Sequence, residues 1–270
     1  MMKKLSLIAI LSILTFCVMG GNTANALILF SDDFESGAID SSKWMLENNR
    51  GASWYYNPNG YISVQQVGGS PYHQSNRQTD IWTIRNDFSD FTLTYDIRFN
   101  NEYAHNVFRT TYLRGSPYNV STGVQMNGYT AYATLGYNWI PQNDSASIDL
   151  IDYASNPTVH NSLAHDVNTD FEVEEWYTFK LEANGDNLKY KFWKRNEAEV
   201  SDWLFDVIDS SSYFPEGNIG FGSYWNALTD IDNIVVESSA IPEPATITLL
   251  GLGLMGLTGL TRNNATNKRK

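Results

Sequence analysis

Strict alternation of apolar and polar residues constrains this chain more than any other feature. Phe91, Leu93, Tyr95, Ile97 and Phe99 fall on one side of an extended segment and Thr92, Thr94, Asp96 and Arg98 on the other. A period of two means a half-buried strand. Tyr177, Phe179, Leu181 and Ala183 repeat the pattern, and Leu188, Tyr190 and Phe192 resume it after Asn184-Gly185-Asp186-Asn187. Those four residues tolerate positive φ, so the two runs predict a hairpin. Further strands are expected at Tyr61 to Val67, Val107 to Leu113, Tyr129 to Tyr137, Ser147 to Ile151, Trp203 to Ile208, Asn218 to Tyr224 and Ile231 to Glu237. No long stretch carries helical periodicity. Many short strands separated by Gly, Asn and Ser turns point to an all-β chain: a two-sheet antiparallel jelly-roll sandwich.

The ends of the chain read differently. Residues 1–26 have Lys3 and Lys4, an apolar stretch from Leu5 to Met19, and Ala24-Asn25-Ala26, the pattern of a secretory signal peptide with its cleavage site. The bulky Phe16 before Cys17 argues against a lipoprotein site. Cys17 is the only cysteine, so the chain beyond the signal has no disulfide and no thiolate metal site. At residues 241–270, Pro242 and Pro244 stop any continuation of the strands. A Gly/Leu-rich run from Ile247 to Leu260 follows, roughly 14 to 17 residues, at or below the length that spans a bilayer as a helix. Arg262, Lys268, Arg269 and Lys270 close the chain and would sit on the cytoplasmic side.

That three-part tail resembles the PEP-CTERM sorting signal of Gram-negative bacteria. The matching residues are Pro242, Glu243 and Pro244, the apolar run, and the basic end. The resemblance implies transient anchoring in the inner membrane and recognition by an exosortase-type processing enzyme near Pro-Glu-Pro. A short anchor that is never cut is the other reading. Both take the protein out of the cytoplasm to the cell envelope, surface or extracellular matrix.

Residues 27–240 therefore form the exported domain, a length that suits one all-β unit. Six of the 18 Lys and Arg and one of the 30 Asp and Glu lie in the terminal segments, which leaves the domain 12 positive and 29 negative charges, a net of −17. So acidic a surface argues against nucleic acid and anionic lipid as partners. It is compatible with Ca²⁺. All eight Trp lie in this domain.

A second resemblance rests on Phe30-Ser31-Asp32-Asp33-Phe34-Glu35-Ser36-Gly37 with Trp44, and more strongly on the chain from Trp176. There Trp176 to Leu181, Lys191-Phe192-Trp193, Glu199 to Trp203, Gly217 to Gly222 and Asp232 to Val236 occur in the order of bacterial concanavalin A-like/LamG-like jelly-roll domains. Residues 50–170 match only as strands. The resemblance implies two curved antiparallel sheets with the first and last strands adjacent, in a fold that hosts both sugar-binding modules and glycoside hydrolases.

Adjacent first and last strands would bring Asp32, Asp33 and Glu35 near Asp230 and Asp232. Relatives often hold a structural Ca²⁺ where a late Asp meets early acids or carbonyls, and Asp232 is the matching position. One expectation is thus a Ca²⁺ bound by Asp33 or Glu35 with Asp232, together with carbonyls near Gly68 and Gly69, since this ion takes six to eight oxygen ligands. The alternative leaves Asp32 and Asp230 as solvated strand-end charges and Asp232 as an acceptor within a turn.

Aromatic rings beside turn asparagines form candidate carbohydrate-binding groups: Trp54 near Asn57, Trp139 near Asn138, and Tyr224 and Trp225 next to Asn226. A flat ring can cover the C–H face of a sugar while amides take its hydroxyls, although such rings also serve as core. Trp225 is the foremost candidate. Asp170, Glu172 and Glu174 could supply the paired carboxylates of a glycosidase. However, the Glu-x-Asp motif of laminarinase-like hydrolases is absent, and the trio runs straight into Trp176, as expected of a solvated crossing. His73, His105, His160 and His165 form neither a zinc pattern nor a triad. The expected function is non-catalytic, the binding or organising of extracellular polysaccharide. A glycan-cleaving enzyme and a purely structural matrix protein are the alternatives.

Overall fold

The computed structural model describes residues 26–47, 52–66, 78–100, 107–117, 127–135, 144–152, 159–211, 214–224 and 228–239. Its strands are β1 (Ile28–Asp32), β2 (Trp44–Glu47), β3 (Ala52–Asn57), β4 (Tyr61–Gln66), β5 (Gln78–Thr83), β6 (Phe91–Phe99), β7 (Val107–Ser116) and β8 (Asn127–Leu135), followed by β9 (Asp144–Asp152), β10 (Val159–Thr169), β11 (Trp176–Asn184), β12 (Asn187–Lys194), β13 (Phe205–Ile208), β14 (Asn218–Tyr224) and β15 (Thr229–Ser238). All belong to one unit, Ile28–Ser239.

The alternation in β6 becomes packing. Phe91, Leu93, Tyr95, Ile97 and Phe99 are all buried on one face. β6 sits in the interior of an eight-stranded sheet ordered β13-β12-β11-β6-β15-β4-β3, with β1 also on β15. β15 is the hub: one edge pairs with β6, and the other is shared by β4 at Asp230 and Ile231 and by β1 from Ile234 to Glu237. The first and last strands are therefore neighbours. The predicted hairpin joins β11 to β12, with Asn184 opposite Asn187 and Gly185 at φ +54° in the turn, where a side chain would be strained.

A seven-stranded antiparallel sheet, β10-β9-β8-β7-β14-β5-β2, forms the second layer. Its inward residues include Ile81, Leu113, Tyr129, Ile148, Leu150, Ile219 and Phe221, which share a core with the inward residues of the first sheet. Tyr95 of one sheet meets Phe221 of the other at 4.9 Å between ring centres, and its hydroxyl bonds to Thr111. At one end of the core, Phe171 packs 4.9 Å from Phe99 and 4.6 Å from Phe192. The all-β sandwich expected from periodicity is what the chain forms.

Candidate functional site

Two regions hold polar side chains that packing alone does not require. The first is where β1, β6 and β15 meet. Asp96 and Asp232 are directly opposite each other on β6 and β15, and both are buried. Arg195, one residue past β12, reaches both, with Nε 3.0 Å from Asp96 Oδ2 and Nη2 3.4 Å from Asp232 Oδ2. Burial is the main force raising the pKa of Asp232. Arg195 and the Asn233 N–H oppose the rise, and the negative charges of Asp96 and Glu35 add to it. Glu35 is thus an electrostatic neighbour of Asp232, as adjacent terminal strands require. Asp33 is exposed and accepts the Glu35 backbone N–H at 3.2 Å.

Asp32 and Asp230 are both buried rather than solvated. Asp32 accepts the Trp44 indole N–H at 2.7 Å, and Asp230 accepts Arg98 Nε at 2.9 Å and the Ser63 hydroxyl at 2.5 Å. Strand pairing buries these positions, and a buried carboxylate needs such donors. Among the described residues no three His, Cys, Asp or Glu side chains are grouped to hold a metal ion. As arranged, Asp232 faces a guanidinium and not an open cation site, and Gly68 and Gly69, whose carbonyls complete the expected Ca²⁺ ligands, lie outside the described residues.

The second region is the far face of the seven-stranded sheet. Ile81 and Phe221 point into the core, so the period of two turns Asp80, Trp82, Gly220 and Gly222 the opposite way. Two rows then cross all seven strands. One runs Glu47, Asp80, Gly222, Thr110, Tyr132, Ser147 and His165; the next runs Met45, Trp82, Gly220, Tyr112, Thr130, Asp149 and Ser162. Trp82 and Tyr112 stack at 4.4 Å and 26° and lie outside the core cluster. Gly220 and Gly115 leave the space that the indole fills. Around the ring pair, the Tyr112 hydroxyl donates to Asp80 at 3.3 Å and the Ser147 hydroxyl to Asp149 at 3.2 Å.

The middle of this face is dry as well as polar, while Met45, Ser162 and His165 toward its edges are exposed. Trp82 is 0% and Thr110 2% exposed, yet Trp82 Nε1 and Thr110 Oγ1 have no hydrogen-bond partner among the described residues. Leaving such a group unsatisfied costs about 1–3 kcal/mol. Two such atoms on β5 and β7, the strands either side of β14, beside a stacked aromatic pair, suit a ligand rich in hydroxyls. The pattern of rings beside turns does not lead to this site, because Trp82 lies within a strand. The signal that does is Asp80-Ile81-Trp82 itself, an alternation with large polar-tipped groups on the non-core side.

The rings singled out by their turn asparagines fare differently. Trp54 is 4% exposed and belongs to the core. Tyr224 ends β14 opposite Gln78, while its side chain, Trp225, Asn226 and Trp139 lie outside the described residues. Asp170, Glu172 and Glu174 are exposed between β10 and β11, and Glu172 pairs with Lys194 at 2.5 Å. His165 is exposed on β10, and the side chains of His73, His105 and His160 lie outside the described residues.

The tail is settled by comparison with known families. The family described as the PEP-CTERM protein-sorting motif matches residues 240–263. Residues 240–263 are a PEP-CTERM motif. It contains Pro242, Glu243, Pro244 and Arg262, while Lys268, Arg269 and Lys270 follow it. The PEP-CTERM motif implies export to the cell envelope or surface and processing by an exosortase. Residues 1–25 and 240–270 lie outside the described residues.

No curated protein matches the sequence. Solved structures do resemble the sandwich. A Bacillus subtilis protein of unknown function with a galectin-like fold is 11% identical, with TM-score 0.57 over 79% of this chain and 97% of that one. Peanut lectin, solved with a nine-residue peptide, is 10% identical with TM-score 0.53 over 78% and 97%. The exoplasmic/lumenal domain of VIP36 in its Ca²⁺/Man3GlcNAc-bound form is 12% identical with TM-score 0.50 over 82% and 91%. These likenesses show the fold alone, a concanavalin A-like jelly-roll sandwich of two antiparallel sheets.

Proposed function

We propose that this protein is exported to the cell surface or matrix and there binds or organises polysaccharide without cleaving it, using the far face of the seven-stranded sheet. The observation that carries the reading is the pair Trp82 Nε1 and Thr110 Oγ1, shielded from water and unpartnered beside stacked rings. A sugar has an apolar C–H face for the Trp82–Tyr112 pair and hydroxyls for the two polar atoms. In so dry a setting each such bond is stronger than in water. The lectin-type fold supports the reading, and one similar domain, that of VIP36, was solved with a glycan bound. The PEP-CTERM motif supplies the route, with exosortase-type cutting near Pro242-Glu243-Pro244 after transient anchoring by residues 247–260. A Ca²⁺ on Asp33, Glu35 and Asp232 is not part of this reading, because Arg195 already balances Asp232.

Binding of the purified full chain to a polysaccharide panel, including the producer's own matrix, tests the proposal when the same wells are assayed for reducing ends. Saturable binding without new ends is expected. Thr110→Val keeps the side-chain shape and removes the hydroxyl; Trp82→Phe keeps a ring and removes the N–H. Each should weaken binding roughly 5- to 10-fold, the worth of one hydrogen bond. New reducing ends would make the protein a glycan-cleaving enzyme. Absence of both binding and cleavage would leave a structural matrix protein.

A further inference from the structure

We infer that the Arg195 guanidinium is the resident cation of the acidic junction between β6, β15 and the turn after β1, doing there what a bound divalent ion would do. The inference concerns the other sheet and is independent of the glycan reading.

Two buried carboxylates directly opposite on paired strands, Asp96 at 6% and Asp232 at 8% exposure, repel each other unless positive charge stands between them. Glu35 adds a third negative charge nearby. Arg195 supplies the compensation, its Nη2 donating to Asp232 Oδ2 and its Nε standing 3.0 Å from Asp96 Oδ2 as an ion pair. Its position is built in. The Arg195 backbone N–H donates to the Trp176 carbonyl at 2.9 Å, and the guanidinium carbon lies 5.2 Å from the Trp176 ring centre. A planar cation on an aromatic face loses little further freedom in reaching both acids.

Every oxygen of the two carboxylates also has a protein donor, which is what distinguishes this junction from a metal cage. Asp96 Oδ1 accepts the Thr178 hydroxyl at 2.6 Å, and Asp96 Oδ2 accepts Asn233 Nδ2 at 2.8 Å. Asp232 Oδ1 accepts the Asn233 backbone N–H at 2.8 Å, and Asn233 Nδ2 also lies 3.3 Å from Asp232 Oδ2. Asn233 reaches both acids because β15 breaks register between Asp232 and Val235, leaving Asn233 at φ +50°. Ca²⁺ needs six to eight oxygens with lone pairs turned toward it. Here N–H groups point at those oxygens.

Thermal unfolding of the full chain, with Ca²⁺ or with excess EDTA, tests the inference. The wild-type Tm should be the same in both. Arg195→Gln should lower the Tm in EDTA by roughly 5–10 °C, as expected when a largely buried pair loses one partner, and Ca²⁺ should recover at least half of the loss. The double variant Arg195→Gln/Asp232→Asn has less charge to balance; it should be more stable than Arg195→Gln in EDTA and should not respond to Ca²⁺. A wild-type Tm raised saturably by Ca²⁺ would overturn the inference. So would an Arg195→Gln protein as stable as wild type, or one destabilised but indifferent to Ca²⁺. If Arg195→Gln does not fold at all, the double variant decides: folding independent of Ca²⁺ supports the charge-balancing role, and failure to fold refutes it.

Discussion

Trp82 rests on Gly220: a Cβ on that glycine would lie 2.5 Å from the indole Cε3. The indole is wholly buried, and a Cβ on Gly115 would also crowd it, at 2.9 Å from Cζ3. Gly220→Ala should therefore cost about 1–3 kcal/mol, the usual penalty of overpacking, and lower the Tm by several degrees. Because the displaced ring is the proposed sugar platform, polysaccharide binding should fall with it. Trp82→Ala alone should cost about 3–5 kcal/mol, and adding Gly220→Ala to it should cost little more, since the clash is then gone. Loss of stability without loss of binding would separate this face from the ligand.

Arg114 is a buried tie between segments distant in sequence. Its Nε donates to the Ser89 carbonyl at 2.6 Å, Nη1 to the Gly185 carbonyl at 2.7 Å and the Phe214 carbonyl at 3.3 Å, and Nη2 to Asp90 at 3.1 Å. No ammonium reproduces that fork. Arg114→Lys should destabilise by about 2 kcal/mol and Arg114→Ala by more, because carbonyls that the guanidinium satisfies lose their donor. Denaturant unfolding checks the order; equal stability of Arg114→Lys and wild type would show that the charge alone matters.

The Tyr129 hydroxyl donates to Asp209 Oδ2 at 2.7 Å. Burial, followed by that bond and the Asp209 charge, pushes its pKa up to about 12. An unfolded tyrosine loses its proton near pH 10, so the contribution is intact below pH 10 and is lost as the pH climbs toward 12. Tyr129→Phe should consequently flatten the alkaline fall in stability by about 2 kcal/mol across that window. Tm measured from neutral pH to pH 12 for both proteins gives the answer. Parallel curves would mean that the buried Tyr95 and Tyr190 carry the alkaline loss.

Recognising a strand requires only the residues along it, which is why β6, β11, β12, β14 and β15 are legible in the sequence. Each alternates because it separates a core from the opposite face, β15 with one break of register after Asp232. Other strands carry a weaker pattern, each for its own reason. β10 (VHNSLAHDVNT) is an edge strand with few apolar residues, and β2 has only four residues. β5 (QTDIWT) places Thr79, Ile81 and Thr83 on one face and Asp80 and Trp82 on the other, so polarity does not distinguish the faces.

By itself the sequence determined the all-β class, the β11–β12 hairpin and the sorting tail, because periodicity, a glycine turn and a linear motif are properties of neighbouring residues. Only the tertiary structure decided which chemistry comes together. Trp82 meets Gly220 and Tyr112, and Arg195 meets Asp96 and Asp232, through strand order and register across stretches of chain that nothing local connects. The same step separated Trp54, a ring that fills the core, from Trp82, a ring that faces away from it. Composition cannot make that distinction, because the side of the sheet on which a tryptophan falls depends on the strands that pair beside it.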